Sequence, residues 1–372
     1  MEKRFEGYIA TNGLYVLDTF TGEVRFISND SENQKVLESE MVESDNKPIN
    51  SNKSQFSIFE TEVITSYPYI IAKPFYDLAK ETDPRIKCKL MVDTFTAVLK
   101  YKALQLASEY LRDPKLKNVQ IHQTLVKDLS RPLISAWNLL IARSLKVFEE
   151  SNVILFSPEL ARAYQTLESK CKDSFLVTTT YSDEEGELKT KTKKLGKIQA
   201  LINYRNGLAH GFNQSKEKAS NEFEMYYPLL LDILEETRFL SRYTLWHVES
   251  GQEGIQGIRL MGANPSRTKI NFEHKGVNPA ISPLFMINDA TGDILPLYTF
   301  FDVDEAVEYT LPDLGKDVFV FEGNTKNTVI YISSSGEHLE KTTRFQHWKD
   351  LLAQKDMEVK WIDDKKLTVE DL

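Results

Sequence analysis

The sequence predicts an α+β fold, and three observations predict it. Apolar residues recur at helical spacing through most of 84–246. From about 248 onward the periodicity changes to the two-residue alternation of strands. Near the start, Asn12-Gly13, a dipeptide suited to a tight hairpin turn, separates two short apolar runs.

Those runs are Tyr8-Ile9-Ala10 and Leu14-Tyr15-Val16-Leu17; Thr21-Gly22 then turns the chain into Val24-Arg25-Phe26-Ile27. A meander this short is not stable alone, so it is expected to join another sheet. Residues 29–57 are rich in Ser, Asn, Glu and Lys and read as a solvated linker. Tyr67-Pro68-Tyr69-Ile70-Ile71-Ala72-Lys73-Pro74 carries two prolines and predicts an extended lead-in, followed by a short helix from Phe75 to Lys80.

Asp83-Pro84 is a helix start, an N-cap followed by proline at the first helical position. Met91, Phe95, Val98, Tyr101, Leu104 and Leu111 give that helix a broad apolar face, ending near Arg112-Asp113-Pro114. A second helix is predicted over about 119–129. Pro132 opens a third, with Leu133, Trp137, Leu140, Ile141, Leu145 and Phe148 at close to ideal spacing. Ser157-Pro158 opens a fourth, to about Lys172. Long amphipathic helices with short connections predict a bundle.

Residues 174–194 interrupt it. Phe175 to Tyr181 and Glu187 to Lys193 alternate and are β-prone, and Ser182-Asp183-Glu184-Glu185-Gly186 joins them, so a hairpin is inserted here. Helix returns over 216–246, with Phe223, Tyr226, Tyr227, Leu230 and Leu234 along one side. Pro228 should kink it or mark its true start. Beyond it, Ile255 to Met261, Thr268 to Phe272, Leu284 to Asn288, Ile294 to Phe301, Val318 to Glu322 and Thr328 to Ser333 read as strands, and His347 to Gln354 as a terminal helix. Leu14 to Val24 aligns without a gap onto Leu284 to Ile294, a likeness read as convergent hairpin chemistry, with a common β-unit at the two ends as the alternative.

The 372 residues, 41% of them hydrophobic, exceed what one ordinary domain needs. The predicted division is 1–60 (hairpins and linker), 61–247 (helical domain) and 248–372 (β-rich α+β domain). Net charge is −9 and the pI about 5.4, so any contact with nucleic acid must be local. Cys88 and Cys171 are the only cysteines, which fits a reducing cytoplasm and neither a disulfide scaffold nor a zinc site. No apolar signal core follows Met1, and no run approaches the roughly 18 apolar residues of a membrane helix. A cytoplasmic protein without membrane contact is the expectation.

Chemistry concentrates at Ile198 to Phe212. Ile198, Leu201, Ile202 and Leu208 make an apolar stripe, and Arg205, Asn206 and His210 lie on or beside the same helix. Arg205 and His210 stand about 7–8 Å apart in rise and broadly on one side. A guanidinium fork matches phosphate oxygens, an imidazole moves a proton near neutral pH, and an amide orients either. Arg and His near a helix end also cap carbonyls and complement the dipole, and that reading stays open. Lys189, Lys191 and Lys193 project from one side of the hairpin's second strand, and Lys194 and Lys197 continue the charge into the motif helix. These lysines, with Tyr204, are the candidate nucleic-acid-binding residues; edge protection of the hairpin explains the lysines equally well.

Arg205-Asn206-Gly207-Leu208-Ala209-His210 resembles the signature of the HEPN superfamily: Arg, a polar residue that is often Asn, several further residues, then His. The resemblance covers about 84–246. It implies a helical HEPN-like bundle with a β-hairpin insertion, flanked here by the short β-meander and the β-rich C-terminal domain. It also implies an RNA-binding protein or a metal-independent endoribonuclease in a prokaryotic defence or stress system, such as a toxin or an antiviral nuclease, with two motifs paired across a homodimer and no cofactor. Arg205, Asn206 and His210 are then the catalytic residues. The alternative it implies is an inactive dimerisation, scaffold or ligand-sensing module serving a separate effector, with a partner protein on the C-terminal domain.

Little competes with this motif. Phosphate-binding glycine loops, His-Glu-x-x-His, Gly-x-Ser-x-Gly and paired Cys-x-x-Cys are absent from the sequence. His122, His247, His274, His338 and His347 lack ligand spacing, so no metal site is predicted. Asp302 and Asp304 alternate and could hold a divalent ion, but strand-edge carboxylates are usually solvated, and that is the expectation here.

Overall fold

The computed structural model describes residues 5–10, 13–18, 24–28, 56–130, 132–169, 176–182, 188–209, 215–266, 268–307, 315–325 and 327–355. The chain is α+β and divides into two compact units, Met1–Gln55 and Phe56–Leu372.

In the first unit, β1 (Phe5–Ala10), β2 (Gly13–Asp18) and β3 (Val24–Ser28) pair antiparallel in that order. Ala10 stands opposite Gly13 and Leu17 opposite Val24. The expected hairpins are present, and among the described residues their sheet has these three strands. The predicted linker lies almost wholly outside the described residues.

The second unit opens with helices. α1 (Ile58–Ser66) starts at a capping box, in which Ser57 accepts from the Glu60 amide and Glu60 accepts from the Ser57 amide. α2 (Tyr69–Lys80) overturns the extended lead-in expected over 67–74. Pro68 occupies its N-cap, where no amide donor is needed, and Pro74 lies inside the helix. Tyr69, Ile70, Ile71, Ala72, Phe75 and Leu78 are all buried, each large side chain contributing about 1.5–3 kcal/mol. Together they outweigh the roughly 3 kcal/mol cost of an internal proline.

α3 (Pro84–Arg112) begins as expected, with Asp83 accepting from the Arg85 amide and Pro84 in the first turn. Its 29 residues span about 43 Å. From Val98 to Leu111 every residue is buried, so this is the central helix of the unit. α4 (Val119–Gln123) runs on into a π-helical turn, Thr124–Asp128. α5 (Ile134–Glu150) and α6 (Glu159–Glu168) follow. The inserted hairpin is β4 (Leu176–Ser182) against β5 (Leu188–Lys194). α7 (Lys197–Ala209) carries Arg205 and Asn206 of the motif, and α8 (Lys216–Glu236) holds Pro228 in its interior, so the helix does not start there. A 3₁₀ turn, Arg238–Arg242, then leads into β6 (Tyr243–Gly251), where helix was expected to 246. The aromatic and β-branched alternation beginning at Tyr243 favours strand at this point.

Two antiparallel sheets complete the unit. One has five strands in the order β10-β9-β6-β7-β8, with β7 (Gly254–Arg259), β8 (Ile270–Asn271), β9 (Leu284–Asn288) and β10 (Ile294–Pro296). The other runs β11-β12-β13-β14, with β11 (Phe301–Glu305), β12 (Lys316–Asn324), β13 (Val329–Ser333) and β14 (His338–Lys341). A 3₁₀ turn at Tyr298–Phe300 splits the single strand expected over 294–301. β14 has one apolar residue, Leu339, and so left no alternation to read. α9 (Thr342–Ala353) closes the described fold.

One apolar core runs through helices and both sheets. Trp137 of α5 meets Phe321 of β12 edge-on at 6.1 Å, and Tyr101 of α3 meets Phe301 of β11 at the same separation. The periodicity change near 248 is a change of secondary structure within the second unit. Gly262 joins the two kinds of structure. Its φ is +74°, its amide donates to the Tyr67 carbonyl, and an added Cβ would stand 2.8 Å from the Thr65 oxygen. No helix among the described residues is long and apolar enough to cross a membrane.

Candidate functional site

α7 is held from three sides. At its start the chain passes tightly by the end of α6: a Cβ at Gly196 would lie 2.8 Å from the Glu168 carbonyl oxygen. Ile198, Ala200, Leu201 and Ile202 are buried in the common core. Tyr204 is 7% exposed, and its ring stacks on Tyr226 of α8 at 4.1 Å, 21° from parallel. Burial pushes the Tyr204 hydroxyl far above the usual phenol range, and neighbouring Cys88 and Glu222 add to the effect.

The next residues turn outward. Arg205 is half-buried and Asn206 exposed, with Nη1 of Arg205 3.4 Å from Oδ1 of Asn206, an arrangement that leaves most guanidinium donors for other partners. Gly207 faces open space: an added Cβ would meet nothing within 4 Å. His210 lies outside the described residues.

Sequence reading missed Asp93, which has no motif around it. This carboxyl on α3 is held above its ordinary range by the protein packed around it, opposed by the charges of Lys89, Lys100 and Arg205. The Arg205 charge is therefore felt at a carboxyl on another helix. Among the candidate lysines, Lys197 pairs with Asp232 of α8 at 2.8 Å, and Lys194 is exposed. Lys189, Lys191 and Lys193 occupy alternate positions on β5, opposite Tyr181, Thr179 and Val177.

No family model, curated protein or solved structure matches this chain. No group of three or more His, Cys, Asp or Glu among the described residues is placed to hold a metal ion. Asp302 is not solvated as expected. It is 1% exposed and accepts from Arg344 Nε at 3.1 Å, while Lys341 Nζ stands 2.8 Å from Asp302 and 2.7 Å from Asp304. Burial works to raise the Asp304 carboxyl, but the Lys341 hydrogen bond and charge bring it below its ordinary value. These carboxylates are spent on tying β11 to β14 and α9.

Proposed function

We propose that the chain is a HEPN-like RNA-binding protein or metal-independent endoribonuclease. The observation that carries this reading is the placement of Arg205 and Asn206 on the outer turns of a core-anchored helix, beside the open face at Gly207. In the proposed reaction His210 takes the proton of a ribose 2′-hydroxyl, or returns one to the departing 5′-oxygen. The 2′-oxygen attacks phosphorus, the bond to the 5′-oxygen breaks, and a 2′,3′-cyclic phosphate remains. Arg205 stabilises charge on the phosphorane, and Asn206 orients its neighbours. One motif supplies one His, so separate acid and base roles call for a second copy across a homodimer. Lys189, Lys191, Lys193 and Lys194 carry the RNA backbone toward Arg205. A cytoplasmic defence or stress response is the setting this activity fits.

Two observations favour a non-enzymatic scaffold or sensor as the second reading. The Arg205 charge is felt at the Asp93 carboxyl of a neighbouring helix, and the Tyr204 ring is already stacked within the chain. Incubating the pure protein with mixed RNAs, with and without a chelator, separates the two. Cleavage that survives chelation and leaves cyclic phosphates is expected. His210→Ala and Arg205→Lys should each lower the rate by about 10² to 10⁴ without changing the melting temperature. Intact RNA with the wild-type protein, together with lowered melting temperatures in both variants, would assign the motif a structural role.

A further inference from the structure

The five-stranded sheet has two faces, and only one is spent on the main core. Tyr243 and Leu245 of β6 point into it, with Leu284 and Met286 of β9. Strand alternation sends Thr244, Trp246 and Val248 to the opposite face. There Val248, Phe285 and Ile287 form a small second core, roofed by Phe272 and Val277 from the loop region 262–283. The roof stops at Trp246. Beyond it lies a depression of about 510 Å³, the size of an ordinary small-ligand site.

Its floor and rim are built for a planar ligand. Trp246 is half-buried, packed on one side against Phe272 with ring centres 4.9 Å apart. Gly257 makes room for this pair: a Cβ there would come within 2.7 Å of Phe272 and 3.2 Å of the indole. The indole is locked in place, because Nε1 donates to Thr244 Oγ1 at 3.1 Å and that hydroxyl donates to Asp289 Oδ1 at 2.7 Å. At the rim, Asp289 Oδ2 and Arg259 Nη2 are 4.0 Å apart, too far for a hydrogen bond. Each charged group keeps hydrogen-bonding capacity, and both line the depression with Asn288 and His274.

We infer that this depression binds a guanine base. Trp246 offers a stacking face, which any base accepts. A carboxylate with Oδ2 open and a second lone pair left on Oδ1, beside the Arg259 fork, selects among bases. Guanine presents N1–H and N2–H₂ to a carboxylate and O6 to a guanidinium. Adenine would set its unprotonated N1 against the carboxylate. One positive and one negative charge leave the pocket near neutral, which suits a base better than a phosphate. The site is separate from Arg205, and the inference does not rest on the ribonuclease reading. A free guanine nucleotide and a guanosine in single-stranded RNA supply the same chemistry.

The test uses the full chain with His210→Ala, so that any RNA stays intact. Calorimetric titrations with GMP, AMP, CMP and UMP are run beside pentanucleotides that differ only in a central G or A. Saturable binding with guanine preferred is expected. Trp246→Ala should weaken it about 5- to 150-fold, the worth of one base stack. Asp289→Asn should remove the preference for guanine over adenine and leave the stack. GMP binding assigns the free nucleotide as a sufficient ligand; binding of the G-containing strand alone assigns the site to RNA. Trp246 also touches the small core, so a thermal melt accompanies each variant, and Asp289→Asn decides if Trp246→Ala does not fold. Absence of saturable binding in every titration, no base preference, or affinities unmoved by Asp289→Asn would overturn the assignment.

Discussion

Glu109 is a carboxyl enclosed in the central helix. Its Oε2 accepts from the Phe156 amide at 2.8 Å and its Oε1 from Gln105 at 3.0 Å, yet burial raises it to about 7. The ordinary value of 4.5 holds in the unfolded chain, so between pH 4.5 and 7 the native state keeps a proton that the unfolded state has lost. Stability from this group is therefore fully present below pH 4.5 and is lost as pH rises through 7, to a total on the order of 3 kcal/mol. Glu109→Gln should abolish that slope. The Gln105 amide can turn to meet the new one, because its own oxygen has no partner and Ser157 can donate to it. Urea unfolding across pH 4.5 to 8 checks this; an unchanged slope in the variant would place the linkage in another group. Nothing in the sequence marked this residue, since a Glu among Leu, Ala and Tyr on a long helix reads as a solvated position.

At the scale of elements, periodicity located most helices and strands, and turn chemistry located their junctions. The gapless likeness of Leu14 to Val24 and Leu284 to Ile294 is matched in register: Leu17 pairs with Val24 as Ile287 pairs with Ile294. One hairpin grammar was used twice, with Gly292 at φ +74° in its second turn. The hairpin β4–β5 carries the test of the lysines. Reversing Lys189, Lys191, Lys193 and Lys194 to Glu should weaken RNA binding and flatten its salt dependence, by about 0.7 in log–log slope for each lost single-strand phosphate contact. Binding measured between 50 and 300 mM salt gives that slope. Unchanged affinity and slope would assign these lysines to edge protection.

At the scale of the molecule, the helices and the two C-terminal sheets share one core, and Gly262 sits where they meet. Gly262→Ala meets both a left-handed backbone and the Thr65 carbonyl at 2.8 Å, and should cost about 2–4 kcal/mol. Gly276→Ala is its control: φ there is +89°, but a Cβ would meet nothing within 4 Å, so about 1 kcal/mol is expected. Denaturant unfolding of the two variants measures the difference. Equal losses would mean that the α1 carbonyl moves aside freely.

The sequence by itself determined the α+β class, the hairpins, the start of α3 at Asp83-Pro84 and the position of the motif helix, because each is written in local spacing and turn residues. It placed Arg205 and Asn206 on a helix and Lys189, Lys191 and Lys193 on one strand side for the same reason. Only tertiary structure decided the rest. Tyr204 is buried under Tyr226, Asp93 stands near Arg205, Asp302 is sealed by Arg344 and Lys341, and Trp246 meets Asp289 through Thr244. These relations join residues at least 22 positions apart in the chain, and the last runs through the pairing of β6 with β9. α2 shows the same limit from the other side: local rules read its prolines as breakers, and the core that buries six of its twelve residues outweighed them.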